Sequence, residues 1–404
     1  MHPHSGLIAD AHQVPPIVEK LQRESIIAFD TEFIREKTFF PVLEILQIAT
    51  ERESWLIDAQ AFLQADHGNL SALRPLLDVL ENPAILKTVH AAHGDQEALF
   101  HSFGIVPKPI LDTSLAASLC GYGESVGLGT LLKSVLRVSL KKVHSRTHWS
   151  LRPLPPQLLE YAHADVIYLV ALGKALLHRL DQRGRREWAL ALSRQYEDPA
   201  LYEPKPEEIA RRLFKSGRLT PKDYPVLLEL VRWREQRIRE INVPRKWLSD
   251  DSTLMTLAAA RPQNLDQLRT FRGISKNDLS RQGEAILDAI RRGEQGEPLS
   301  VEPQEHPSAE ESRVIDLIRV FVNLLADEHE VAAKYLLDSS QYSTLLQLHP
   351  ESPEDLVAAG ILSPQAAALI GHELIEFLHG NRSLSIQDGR ITVVDPETCP
   401  PRRS

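Results

Sequence analysis

The sequence predicts an α/β domain followed by all-α domains, and three observations carry that reading. Short apolar runs alternate with helical patterns over residues 1 to about 200: SIIAFDTEF, EILQIAT and SWLIDA read as strands, LSALRPLLDVLE as a helix, and AILKTVHAA as a strand again. Beyond about residue 205 the strand signals vanish, and segments such as DYPVLLELVRWREQRIREI carry apolar residues at helical spacing. The chain of 404 residues also exceeds the roughly 250–300 that one hydrophobic core holds, so two or three domains are expected.

With 55 acidic against 46 basic residues, the formal charge of −9 argues against binding nucleic acid by bulk charge. Any such binding must be local. Cys120 and Cys399 are the only cysteines, too few for a disulfide framework or a thiolate zinc site, which points to a reducing cytoplasm. The amino terminus shows no basic region followed by an apolar core, and no apolar run reaches the ~18 residues of a membrane span, so a soluble protein with no membrane partner is expected.

Three segments bring acids to the ends of elements. In SIIAFDTEF an apolar run leads into Asp30, and Glu32 two residues later points to the same face if the strand continues. Alone, that D-x-E pair also fits a strand end with two solvated acids. The segment from Ile85 to Ala92 reads as a second strand, and Asp95 lies at its exit, where an aspartate also serves as a helix cap. LPPQLLEYAHADVIYLVAL reads as a helix with Pro156 near its start, which places Tyr161 and Asp165 on one face about a turn apart. Four carboxylates from two strand ends and a helix suit Mg²⁺ or Mn²⁺, hard cations that prefer oxygen. Two such ions about 3.5–4 Å apart can activate water and stabilise the leaving oxygen of a phosphodiester.

FDTEF, HAAHGDQEALF and YAHAD, in this order, resemble the three exonuclease motifs of the DEDD superfamily, and the match is to the ribonuclease D family. REKTFFP, LDTSLAASLCGYG and SRTHWSLRPLP extend the likeness over roughly residues 26 to 170. The resemblance implies a ribonuclease H-like domain, a mixed sheet flanked by helices, in which Asp30, Glu32, Asp95 and Asp165 hold two divalent ions. Tyr161 would position the attacking water or help deprotonate it. Glu160 stands where the other DEDD subgroup has histidine, so the tyrosine subgroup fits, and His163 is read as incidental. His148 departs from a position that is usually acidic in the family, which bears on substrate contacts and removes no metal ligand.

Further residues are candidates for substrate contact. Phe33 suits stacking beside a terminal base and equally suits packing behind its strand. His90 can touch a phosphate or serve as a buried supporting histidine. Lys141, Lys142, His144, Arg146 and Arg152 form a basic cluster before the third motif, read either as a solvated face or as a contact to the nucleic-acid backbone. Asp112 reads as a helix cap in preference to a fifth ligand.

Residues 219–293 resemble the helicase-and-RNase-D C-terminal (HRDC) domain, with Trp233, Arg234, Glu235, Asn242, Pro244, Asp250, Asp251, Leu254, Pro262 and Gly273 at its signature positions. Trp233 is expected in the core, and Asp250 and Asp251 at a helix start. The likeness implies a small bundle that assists nucleic-acid binding. Residues 221–293 hold 14 Lys/Arg and 10 Asp/Glu, a net +4, whereas 294–404 hold 7 and 19, a net −12. The expected organisation is an exonuclease domain over 1–204, an HRDC domain over 219–293, a flexible linker over 294–311, and a diverged second HRDC-like copy over 312–404 that ends in a hairpin around Asp388-Gly389. Its acidity favours an architectural or interaction role.

The resemblance implies a monomeric cytoplasmic 3′→5′ exoribonuclease that releases nucleoside 5′-monophosphates from RNA, with 3′-extended tRNA precursors as substrates. A single-stranded DNA exonuclease shares the same motifs, and an inactive nucleic-acid-binding scaffold is the alternative from another class.

Overall fold

The alternation in IIAFDTEFI sends Ile27 and Phe29 to one face of a sheet and Ala28 to the other, each into a different core. The structure, a computed structural model, describes residues 6–64, 70–140, 148–271, 276–300 and 307–395. Six strands form the sheet: β1 (Leu7–Ile8), β2 (Ile26–Ile34), β3 (Val42–Ala49), β4 (Ser54–Asp58), β5 (Leu86–Val89) and β6 (Ile110–Asp112), in the spatial order β1-β4-β3-β2-β5-β6. β2, β3 and β4 are antiparallel neighbours, while β1 runs parallel to β4, β5 to β2 and β6 to β5. β3 and β4 are buried on both faces, as strands covered by helices on each side must be.

Helices α1 (Val14–Leu21), α2 (Ala59–Gln64), α3 (Leu70–Glu81) and α4 (His93–Phe103) supply one core, in which Leu21, Leu76 and Leu99 meet Ile27 and Phe29. On the other face lie α5 (Thr113–Ser118), α6 (Leu128–Leu136), α7 (Pro156–Ile167), α8 (Leu169–Gln182) and α9 (Arg186–Ser193). Pro156 opens α7 at its first position, where no amide is needed. Ala162 and Leu158 of α7 pack on Ile45 of β3 and Leu56 of β4, so the helix bearing Tyr161 and Asp165 lies across the sheet.

Six helices follow: α10 (Pro206–Ser216), α11 (Tyr224–Ile241), α12 (Arg245–Leu248), α13 (Asp251–Ala260), α14 (Leu265–Leu268) and α15 (Lys276–Glu294). Ile209 and Leu213 of α10 enter the same core as Leu227, Leu254 and Leu287, so the bundle starts before residue 219. Trp233 is half-buried at the bundle's edge, and the fully buried neighbour is Arg234, whose guanidinium pairs with Glu235 and with Asp251 at 2.6 Å. Asp250 caps α13 through the Thr253 amide.

The acidic region forms α16 (Ala309–Glu328), α17 (Ala333–Leu336), α18 (Tyr342–Leu348), α19 (Pro353–Ala358) and α20 (Pro364–Leu378), then a hairpin of β7 (Ser383–Gln387) and β8 (Arg390–Val394). Asp388 and Gly389 both take positive φ, 51° and 75°, as a tight hairpin turn demands. α16 begins inside the stretch expected as linker, because Ser308 and Glu311 form a capping box. Its core is continuous with that of α5, α6, α8 and α9: Phe321 and Ile370 belong to one apolar cluster with Leu131 and Leu172. Arg185 ties the two regions, donating to the Leu119 carbonyl at 3.0 Å and the His329 carbonyl at 2.7 Å.

Candidate active site

β5 pairs with β2 only as far as Ala28 opposite Thr88, while β2 runs on to Ile34. The free edge of β2 beyond that point is met by the first turn of α4. Asp95 there accepts from the Thr31 amide at 3.1 Å and the Thr31 hydroxyl at 2.5 Å. A backbone irregularity between Glu32 and Phe33 follows the acidic pair, a common device where a strand re-aims side chains at a site. The turn from β5 into α4 is itself held by Asp112, whose carboxylate accepts from the Ala91 and Ala92 amides at 3.0 Å and also caps α5 through Ser114. Ala91 is left-handed (φ 59°), and this clamp holds it so.

Asp30, Glu32, Asp95, Tyr161 and Asp165 thereby gather at one end of the sheet, close enough to govern one another's protons. Burial, then Asp95, Asp165 and Glu32, push Asp30 well above the usual carboxylate range. Burial, then Asp165 and Asp95, raise Glu32 to about 8. Asp95 is pushed by burial to about 7 against the hydrogen bonds from Thr31, and it also hydrogen-bonds Asp30. Asp165 is raised by burial to about 6, opposed by a hydrogen bond from the Tyr161 hydroxyl. The Tyr161 phenol is pushed upward by burial first and then by Asp165, so it holds its proton. An acid cluster of this kind, its pKa values raised chiefly by burial and at Asp30 and Glu32 also by repulsion from neighbouring acids, is a functional-site signature. Among the described residues no group of three or more His, Cys, Asp or Glu side chains is drawn together so as to hold a metal ion as it stands. The acids are joined in pairs instead, Asp30 to Asp95 and Asp165 to Tyr161.

The other candidates lie as follows. Phe33 is half-buried and packs over Gly94, where a Cβ would stand 3.3 Å from its ring. His90 hydrogen-bonds the Thr113 hydroxyl at 2.9 Å, which ties it to the start of α5. His163 is buried against the Ser54 hydroxyl at 2.8 Å, a supporting contact between α7 and β4. His148 is exposed. Lys141, Lys142, His144 and Arg146 lie outside the described residues. Arg152, the described member of that basic cluster, is engaged within the protein: its guanidinium forks onto Asp58 at 2.6 and 2.7 Å and donates to the Trp149 carbonyl. Thr31, the Asp112 clamp and the orphaned Gln47 described below escape a reading of the sequence, since nothing local marks a residue whose partner is tens of positions away.

The 3′-5′ exonuclease family profile matches residues 7–181, and the HRDC domain profile matches residues 225–290. The ribonuclease D of Nitrobacter hamburgensis is 32% identical over 397 residues, covering 96% of this chain and 99% of the relative. The chain belongs to the ribonuclease D family. The ribonuclease D of Gluconacetobacter diazotrophicus is 31% identical, covering 96% of this chain and 94% of the relative. The crystal structure of Escherichia coli RNase D, described as an exoribonuclease involved in structured RNA processing, superimposes with a TM-score of 0.74 at 25% identity over 93% of this chain and 98% of that one. As a ribonuclease D family member with a 3′-5′ exonuclease domain, the chain is a nuclease.

Proposed function

We propose that this ribonuclease D family member is a two-metal 3′→5′ exoribonuclease, with Asp30, Glu32, Asp95 and Asp165 as cation ligands and Tyr161 beside the attacking water. The observation that carries this reading is the convergence of Asp30, Glu32, Asp95 and Asp165 at one end of the sheet, where burial raises each carboxyl and the neighbouring acids raise Asp30 and Glu32 further. Buried acids that repel one another are a set waiting for positive charge, and their all-oxygen donors suit Mg²⁺ or Mn²⁺. The open, pairwise arrangement fits ions that keep several waters and take only one or two carboxylates each. Two divalent cations bound there would lower the pKa of water and neutralise charge on the phosphodiester.

Tyr161 keeps its proton and donates a hydrogen bond to Asp165, which leaves the phenol oxygen free to accept a hydrogen bond from water. Its role is therefore to orient the nucleophile. Attack on phosphorus with departure of the upstream 3′-oxygen releases a nucleoside 5′-monophosphate and leaves a shortened chain with a 3′-hydroxyl.

RNA is the favoured polymer because the curated relatives are ribonucleases D and because the Escherichia coli protein is described as acting in structured RNA processing. Three-prime-extended tRNA precursors are the substrate this supports best. Among the described residues no helix is long and apolar enough to cross a membrane. Digesting 5′-labelled 3′-extended tRNA, unstructured RNA and single-stranded DNA side by side tests the proposal. One-nucleotide ladders from RNA, nucleoside 5′-monophosphate products and complete loss in EDTA are expected; preference for DNA, or activity after rigorous metal removal, overturns it.

A further inference from the structure

Gln47 lies in the second half of β3, fully buried, and neither its amide nitrogen nor its carbonyl oxygen has a hydrogen-bond partner. Leaving both ends of a carboxamide unpaired in a core is costly, of order 1–3 kcal/mol for each group, so the arrangement needs a reason. Its register supplies one. Gln47 stands directly across from Asp30 in the antiparallel β2–β3 pair, so the two side chains share a face with Cβ atoms about 4.5–5.5 Å apart. On its other flank the partner is Leu56, and its same-face neighbours along β3 are Ile45 and Ala49. The nearby Ser54 hydroxyl is engaged by His163. On the facing strand the acids nearest it by register are Asp30, directly opposite, and Glu32, opposite Ile45.

We propose that Gln47 is a positioning residue whose side-chain amide donates to Asp30 when that carboxylate binds a divalent cation, fixing which oxygen faces the ion. The inference rests on the metal-site reading above. Groups that orient a metal ligand from behind typically change affinity by about 10–100-fold when removed. Gln47 touches neither substrate nor ion in this scheme and acts through Asp30.

The test is Mn²⁺ binding, followed by the loss of the free-ion electron paramagnetic resonance signal, for the full-length wild type and Gln47→Met. The methionine has nearly the shape of glutamine and removes the orphaned atoms, so its thermal stability should equal or exceed that of the wild type. Mn²⁺ affinity should fall about 10–100-fold. Wild-type affinity in a folded Gln47→Met protein overturns the role of Gln47 while leaving the metal site intact, and failure of the wild type to bind Mn²⁺ overturns both. If the variant does not fold, selective ¹⁵N-glutamine labelling of the wild type replaces it. Mg²⁺ should then shift the Gln47 side-chain amide signals, and signals unmoved at saturating Mg²⁺ refute the contact.

Discussion

The side chain of Asn242 accepts a hydrogen bond from the Phe39 backbone amide at 3.0 Å, and a second from Phe40 at 3.2 Å, across 203 and 202 positions of sequence. Asn242 ends α11 in the left-handed region, φ 48°, so a helix cap of the HRDC bundle also grips the loop that leaves β2 beyond Ile34. Phe39 is buried with Ile238 and Leu248, and the Arg245 guanidinium lies 4.9 Å from its ring centre. Asn242→Gly keeps the backbone conformation and removes only the acceptor. Each lost bond is worth about 0.5–1.5 kcal/mol, so stability should fall by roughly 1–3 kcal/mol. Amide hydrogen exchange at Phe39 and Phe40 should quicken; unchanged exchange there would show that the apolar contacts alone hold the loop.

The acid cluster makes the response to cations depend on pH. Each carboxyl has a folded pKa above its unfolded value of about 4, so the folded chain holds extra protons. That contribution to stability is fully present below about pH 4, and it is lost as pH rises through about 6 for Asp165, 7 for Asp95 and 8 for Glu32. Cation binding runs the other way, since ligands must shed protons. The rise in Tm caused by Mg²⁺ should therefore be small at pH 5 and large at pH 8, as read by differential scanning calorimetry. An equal rise at both pH values would count against these acids as the ligands.

Asp30→Asn separates stability from activity. The amide has nearly the same shape, cannot ionise, and relieves repulsion with Asp95, Asp165 and Glu32, so the metal-free variant should melt above the wild type at pH 8. Its turnover should drop by several orders of magnitude. Tyr161→Phe should lower turnover by about 10²-fold, the low end of the range for proton-handling groups, with Mn²⁺ affinity unchanged. Single-turnover kinetics beside a Mn²⁺ titration checks both, and a fully active phenylalanine variant would reduce Tyr161 to packing.

The main strands and the acids at their ends are legible because each acid closes a segment of clear periodicity: Asp30 and Glu32 follow an apolar run, and Tyr161 and Asp165 share a helix face. β1 and β6, two and three residues long, are too short to show any period. The apolar stripe of α16 announces that one face is buried but not against what, so the fusion of its core with that of α8 is invisible before folding. Arg234 is buried while Trp233 sits at the edge, because the helix phase and the pairing with Glu235 and Asp251 outweigh side-chain polarity. Arg152 looks available in sequence, and Asp58, 94 positions earlier, is what claims it.

The bundle's +4 suggests a phosphate-binding face, yet Arg232, Arg234, Arg245, Arg261, Arg269 and Arg292 are each paired with a carboxylate. Neutralised guanidiniums make poor phosphate contacts. What α12 presents to solvent is Lys246 and Trp247, the indole 57% exposed. Arg245 and Leu248 on the same short helix pack on Phe39, so this indole stands beside the loop leaving β2. An exposed aromatic there suits stacking by a base upstream of the RNA 3′ end, worth about 1–3 kcal/mol, or roughly 5- to 150-fold in affinity. Trp247→Ala should raise KM by that factor for long RNA with kcat unchanged, and should leave a dinucleotide, which has no upstream bases to stack, unaffected. Lys246→Ala should lower the salt slope of binding by about 1. Equal KM values for wild type and Trp247→Ala on long RNA, at one fixed salt concentration, would show that the substrate does not pass over α12.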